Sequence, residues 1–119
     1  MKVFYASRMG KVEALVNKLE VSSTKIVDGT EIANEPFLLI TYTDGAGIVP
    51  QTVVEFLKNN HNNLKAVVAS GSMARHKDTY CFAGDIIAKE YNVECILKID
   101  GSGTDSDLAF IKEYCKRTI

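Results

Sequence analysis

Apolar residues enter this chain in two patterns. Short, nearly continuous runs fall at residues 3–6 (VFYA), at Phe37–Tyr42 (FLLITY), at 64–69 (LKAVVA) and at 95–99 (CILKI). Runs of this length read as strands buried on both faces. Between them, apolar residues recur at helical spacing: Val12, Leu15, Val16 and Leu19; Val53, Val54, Phe56 and Leu57; Phe82, Ala83, Ile86 and Ile87; Leu108, Ile111 and Cys115. Each set predicts a helix with one buried face. A weaker run at 24–27, stopped by Asp28-Gly29-Thr30, predicts an edge strand. Asn59-Asn60-His61-Asn62-Asn63 marks the end of the second helix, and Lys112, Lys116 and Arg117 suit the carboxyl end of the last.

Strands that alternate with helices, joined by connections too long for hairpins, predict a parallel sheet with helices on both faces. Five strands with an edge-like second one fit the order 2-1-3-4-5, a flavodoxin-like doubly wound three-layer α/β sandwich, better than the six-stranded dinucleotide fold. The whole length, 1–119, is expected to form one such domain. The order reverses between the first and third strands, so ligands are expected in the crevice beyond their carboxyl ends. Three loops meet on that rim, at residues 7–11, 43–49 and 70–79.

Composition narrows the function. A net charge of −1 argues against nucleic-acid and membrane partners, and no apolar run approaches the ~20 residues of a bilayer span. The opening MKVFYASRMG turns polar too early for a secretory signal, so a cytoplasmic location is expected. Cys81, Cys95 and Cys115 have no metal-ligand spacing and read as free thiols of a reducing compartment.

The loops carry what chemistry there is. The first ends a strand and opens a helix, so its backbone N–H groups form an anion site to which Ser7, Arg8 or Lys11 can add contacts; a phosphate monoester fits, and simple helix capping by Ser7 is the alternative. It is too short for a G-x-x-x-x-G-K-[ST] loop and lacks G-x-G-x-x-G. The second loop, with Gly45 and Gly47, exposes peptide groups with little side chain, as a flat ring pressed against backbone requires. The third holds Arg75, His76, Lys77 and Asp78 before Tyr80; basic groups there would favour an anionic reduced ring, and a solvated surface loop is the alternative. No zinc cluster, serine triad or carboxylate pair is evident.

Read together, TYTDGAGIVP (41–50), VVEFL (53–57), ASG (69–71), AGDIIAKEYNV (83–93) and KIDGSGTDSD (98–107) resemble the NrdI family, small flavodoxin-like FMN proteins that serve class Ib ribonucleotide reductases. The resemblance implies an FMN with its phosphate on Ser7, Arg8, Met9, Gly10, Lys11 and Val12. It places the ring between Thr43, Asp44, Gly45, Ala46 and Gly47 on one side and Ser70, Gly71, Ser72 and Tyr80 on the other, with Gly45 at flavin N5. It further implies a flavin reductant, and dioxygen that the reduced flavin converts to superoxide or a related oxidant. That oxidant reaches the dimanganese site of the reductase's radical-bearing subunit, where a tyrosyl radical forms. No side chain need act as acid or base.

The chain departs from the family pattern at the ligand rim. Met9 and Lys11 stand where the phosphate loop usually has a hydroxyl residue and Asn; Ala46 replaces a bulkier residue; and the segment Ser70-Gly71-Ser72-Met73-Ala74-Arg75-His76 lacks the usual stacking aromatic, a role left to Tyr80 or His76. Two other functions share the fold: a partner-binding module without flavin, and a general flavodoxin carrying electrons, which the short loops and near-neutral charge disfavour.

Overall fold

The computed structural model describes residues 1–45 and 47–117. In chain order the elements are β1 (Lys2–Ala6), α1 (Lys11–Leu19), β2 (Ser23–Lys25), β3 (Phe37–Tyr42), α2 (Gln51–Asn60), β4 (Leu64–Gly71), α3 (Phe82–Tyr91), β5 (Glu94–Asp100) and α4 (Asp105–Arg117). The sheet runs β2-β1-β3-β4-β5 with every pair parallel, the order expected from the pattern.

Alternation along the strands sorts the core into two layers. Val3, Leu38, Ile40, Ala66, Val68 and Ile99 pack against Val12, Leu15, Val16 and Leu19 of α1 and Ile111 and Cys115 of α4. Phe4, Phe37, Leu39 and Val67 face the opposite layer, with Val53, Phe56 and Leu57 of α2 and Ile87 of α3. Central strand β3 is covered on both sides, which is why it is apolar at consecutive positions. Phe4, Phe37 and Phe56 form an aromatic cluster with ring centroids 5.1 to 5.6 Å apart.

Two strand ends, by more than one residue, and one helix face differ from the expectation. β2 occupies Ser23–Lys25 rather than 24–27, because the Glu31 carboxylate accepts the Val27 N–H at 2.7 Å and the Gly29 N–H at 3.0 Å, folding the chain away from the sheet. Buried Asn60 anchors this loop, accepting from Ala33 N–H at 2.8 Å and donating to the Glu31 carbonyl at 3.0 Å. β4 extends through Gly71, since the Ser70 carbonyl accepts from Thr43 N–H and the Gly71 carbonyl from Gly101 N–H, both at 2.9 Å. On α3 the buried face is Ala83, Gly84 and Ile87, while Phe82 and Ile86, expected inside, are each 41% exposed. Gly84 explains the shift: a Cβ there would lie 2.7 Å from Cys95 Sγ and 2.8 Å from Ala69 Cβ, so the helix approaches the sheet through its smallest residues and turns its larger ones to the flank.

Both edge strands carry a lysine paired with a helix carboxylate, Lys25 with Glu13 at 2.7 Å and Lys98 with Asp85 at 2.8 Å. The three cysteines are free. Among the described residues no helix is long and apolar enough to cross a membrane.

Candidate functional site

The carboxyl ends of β1, β3, β4 and β5 open into a cavity of about 310 Å³, at the low end of the ~300–1,000 Å³ usual for small-molecule sites. It lies at the switch point between β1 and β3, and loops from all three predicted rim segments line it.

On the first loop, Gly10 adopts φ 87° and starts α1 with no side-chain cap of its own. Ser7 Oγ instead accepts the Glu13 N–H at 3.2 Å, so the capping role considered for Ser7 is realised. The N–H groups of Lys11 and Val12 have no acceptor within the helix, by its geometry, and both residues line the cavity. An anion there would meet two peptide donors, the positive end of the helix dipole, and the side chains of Arg8 and Lys11. Met9 also lines the cavity but is 80% exposed and brings no polar group.

The second loop is a tight turn. Asp44 N–H donates to the Ile48 carbonyl at 2.9 Å, and the Asp44 carbonyl accepts from Gly47 at 3.1 Å and Ile48 at 2.9 Å. Gly45 (φ 47°) faces open space: a Cβ there would meet nothing within 4 Å. Gly47 (φ 105°) is the opposite case, because a Cβ would sit 2.9 Å from Thr79 Cβ and 3.0 Å from Phe82 Cδ2, which docks this loop onto the third. Ala46 lies outside the described residues. Arg8 Nη1 reaches Asp44 Oδ1 at 2.7 Å, its guanidinium 5.5 Å from the centre of the Tyr42 ring, so the first and second loops are tied across the rim. Burial, and then the Asp44 carboxylate, push the Tyr42 hydroxyl above its ordinary pKa.

Thr43 Oγ1 is buried with no hydrogen-bond partner among the described residues, and Thr43 is one of the residues that line the cavity. An unsatisfied buried hydroxyl costs about 1–3 kcal/mol. Thr43→Val keeps the shape and removes the oxygen, so it should leave the ligand-free protein as stable as before or up to about 1 kcal/mol more so, read as the urea midpoint; a loss above that size would mean the hydroxyl has a partner in the fold.

On the third loop, the Ser72 carbonyl accepts from His76 N–H at 2.8 Å and Ser72 Oγ from Arg75 N–H at 3.2 Å, a turn that sets Arg75 and His76 on the cavity wall. Ser70 Oγ donates to the Gly101 carbonyl and closes the floor between β4 and β5. Tyr80 does not line the cavity. Its Cδ1 lies behind Gly71, 3.3 Å from where a Cβ would be, and burial raises its hydroxyl pKa. Next to it Cys81 holds a left-handed φ of 57°, with Sγ 3.3 Å from the Ala69 carbonyl and 3.5 Å from that of Ile99; burial pushes this thiol up to about 11, so it is no nucleophile at neutral pH.

The cavity therefore gathers Ser7, Arg8, Met9, Lys11, Val12, Thr43, Gly45, Ser70, Gly71 and Ser72. Gly10, Asp44 and Gly47 shape the loops around it without lining it. Tyr42, Arg75, His76 and Gly101 complete the wall. Tyr42 and Gly101 had a signal in the sequence, since each lies at the carboxyl end of a sheet strand, and Gly101 opens the G-S-G-T segment after β5. A Cβ on Gly101 would lie 3.4 Å from Lys11 Cδ, an ordinary contact, so the lysine stem runs alongside this glycine at the rim.

Comparisons with known proteins agree with this geometry. Residues 3–113 match the model of the family described as NrdI Flavodoxin like. The chain is 35% identical to Protein NrdI of Macrococcus caseolyticus over 96% of its own length and 85% of that protein, and 33% identical to Protein NrdI of Bacillus licheniformis over 100% and 90%. In fold it is similar to oxidised Flavodoxin 2 from Bacillus cereus, with a TM-score of 0.65 and 21% identity, covering 97% of this chain and 94% of that one. A doubly wound sheet with its cavity at the switch point, matched to one family over nearly its whole length, is what these observations have in common: the chain belongs to the NrdI family of flavodoxin-like proteins.

Proposed function

We propose that the cavity binds FMN and that the protein serves a class Ib ribonucleotide reductase, supplying the oxidant from which the radical-bearing subunit assembles its dimanganese-tyrosyl radical cofactor. The observation that carries the cofactor reading is Thr43 Oγ1, a buried hydroxyl without a partner among the described residues, in the same loop as the open glycine Gly45. A hydroxyl in that state is one that a ligand or an ordered water, rather than the fold, would complete. When bound, FMN would supply one-electron chemistry and the reaction with dioxygen; the chain's own groups hold and tune it.

Residue roles follow from placement. The Lys11 and Val12 N–H groups, with the Lys11 ammonium, would take the phosphate. Gly45, with open space where a Cβ would stand, lets backbone approach the ring, and Thr43 offers its hydroxyl. Arg75 and His76 bring positive charge or N–H donors to the wall and so favour an anionic reduced ring. His76, on the wall, is better placed to face a ring than Tyr80, which is behind Gly71. The free thiols suit a reducing compartment, in keeping with a cytoplasmic site of action.

The test is an absorbance titration of flavin-stripped protein with FMN. One-to-one binding is expected, and Thr43→Val should weaken it about threefold to tenfold, the worth of one hydrogen bond, while sparing stability. Gly45→Val should weaken it further by filling the open space. Absence of FMN binding by the unmodified chain would overturn the reading, and unchanged FMN affinity in Gly45→Val would move the ring away from this turn.

A further inference from the structure

The cavity wall carries Arg8, Lys11 and Arg75 and, among the described residues, no carboxylate. Asp44 is outside that lining, but in the chain it stands between Thr43 and Gly45, which both belong to it. Its Oδ1 accepts from Arg8 Nη1 at 2.7 Å, so the acid of the second loop is bonded to a cation of the first. Tyr42, on the same wall, registers both charges. Burial is the main reason its hydroxyl pKa is raised; the Asp44 carboxylate adds to the rise, and the Arg8 guanidinium, 5.5 Å from the ring centre, opposes it. At a residue of the cavity the two charges therefore work against each other.

We infer that Arg8 and Asp44 form a compensated charge pair that sets how strongly the cavity prefers reduced to oxidised flavin. Reduction of the ring takes up two electrons and one proton, so the reduced ring holds one negative charge more than the oxidised ring. A lone carboxylate in the turn that carries Gly45 would oppose that charge, and a lone guanidinium would favour it. Paired, they largely cancel, and the preference is left to Lys11 and Arg75, which have no ion pair among the described residues. The inference rests on the cavity being the flavin site proposed above, and it adds which side chains of the rim tune that site.

The experiment is a dithionite titration of the full FMN-loaded chain against a redox dye, without oxygen. Referred to free FMN, it gives the ratio of affinities for reduced and oxidised FMN. Any contact with the phosphate changes both affinities alike and drops out of this ratio. Asp44→Asn keeps the backbone turn and leaves Arg8 uncompensated, so the ratio should rise about threefold. Arg8→Gln leaves Asp44 uncompensated and should lower it about threefold to tenfold. The double variant, with neither charge, should return to within about twofold of the unmodified chain. Shifts of the same sign in both single variants, or a double variant no closer to the unmodified chain than either of them, would overturn the inference and make the pair a mechanical tie between two loops. A ratio unchanged in every variant would overturn it as well, since the ring would then lie beyond the reach of both charges. Failure of the unmodified chain to bind FMN would instead remove the flavin reading, and this inference with it.

Discussion

Gly47→Ala should cost most of the proposed FMN affinity, a fall of at least about thirtyfold, while Gly45→Ala, two residues away, costs less. A φ of 105° lies beyond the left-handed basin that L-residues tolerate, and the added carbon would stand 2.9 Å from Thr79 Cβ and 3.0 Å from Phe82 Cδ2. Strained backbone of this kind costs about 1–3 kcal/mol before any overlap is counted. The turn can relieve both only by lifting off the third loop, which moves Gly45 and Thr43 relative to the rest of the cavity. Gly45 has a φ of 47° and open space, so alanine there adds about 1–2 kcal/mol of left-handed strain and no collision. The pair of titrations separates docking of the ring loop from its backbone conformation; equal losses in both variants would mean that the contact with Thr79 and Phe82 does not position the site.

The largest effect on stability is expected from Phe56→Ala. Phe56 is fully buried on α2, and its ring meets Phe4 at 5.1 Å and Phe37 at 5.6 Å between centroids. Truncating a buried aromatic typically costs about 3–5 kcal/mol, from lost burial and from the cavity left behind. Set against the ~5–15 kcal/mol that holds a domain of ordinary stability, this brings the chain close to unfolding at room temperature. Urea denaturation should show the midpoint fall sharply with an unchanged slope. A loss below about 1.5 kcal/mol would show that the layer between α2 and the sheet closes over the gap.

The strand order was legible because β3 has no polar layer to face: an almost continuous apolar run, Phe37–Tyr42, whose first five residues are buried, means cover on both sides and hence a parallel, helix-flanked sheet. The rim was legible for the same reason, since topology fixes which strand ends share an edge. What escaped was what long-range packing decides. Phe82 and Ile86 follow helical spacing, but Gly84 sets how the helix lies on Ala69 and Cys95, and those partners are far off in sequence. The end of β2 depends on a carboxylate, Glu31, that nothing local marks as a hydrogen-bond acceptor for the strand. At the site, Gly45 and Gly47 looked equivalent as turn glycines, yet one faces open space and the other a packed wall. The Arg8 to Asp44 contact joins residues 36 positions apart, and the unpartnered state of Thr43 Oγ1 is a property of its surroundings rather than of its neighbours in the chain.

The lysines of the two edge strands bear on how copies of this protein behave toward one another. An open sheet ends in rows of backbone donors and acceptors that can template a neighbour's strand, and a net charge of −1 supplies almost no long-range repulsion to prevent the approach. β2 offers a row of only three residues, and Lys25 and Lys98 put an ion-paired, hydrated side chain on each outer strand, so that stacking edge to edge would force those charges out of water. The guard against edge-to-edge stacking thus sits at the margins of the sheet, away from the mouth of the cavity.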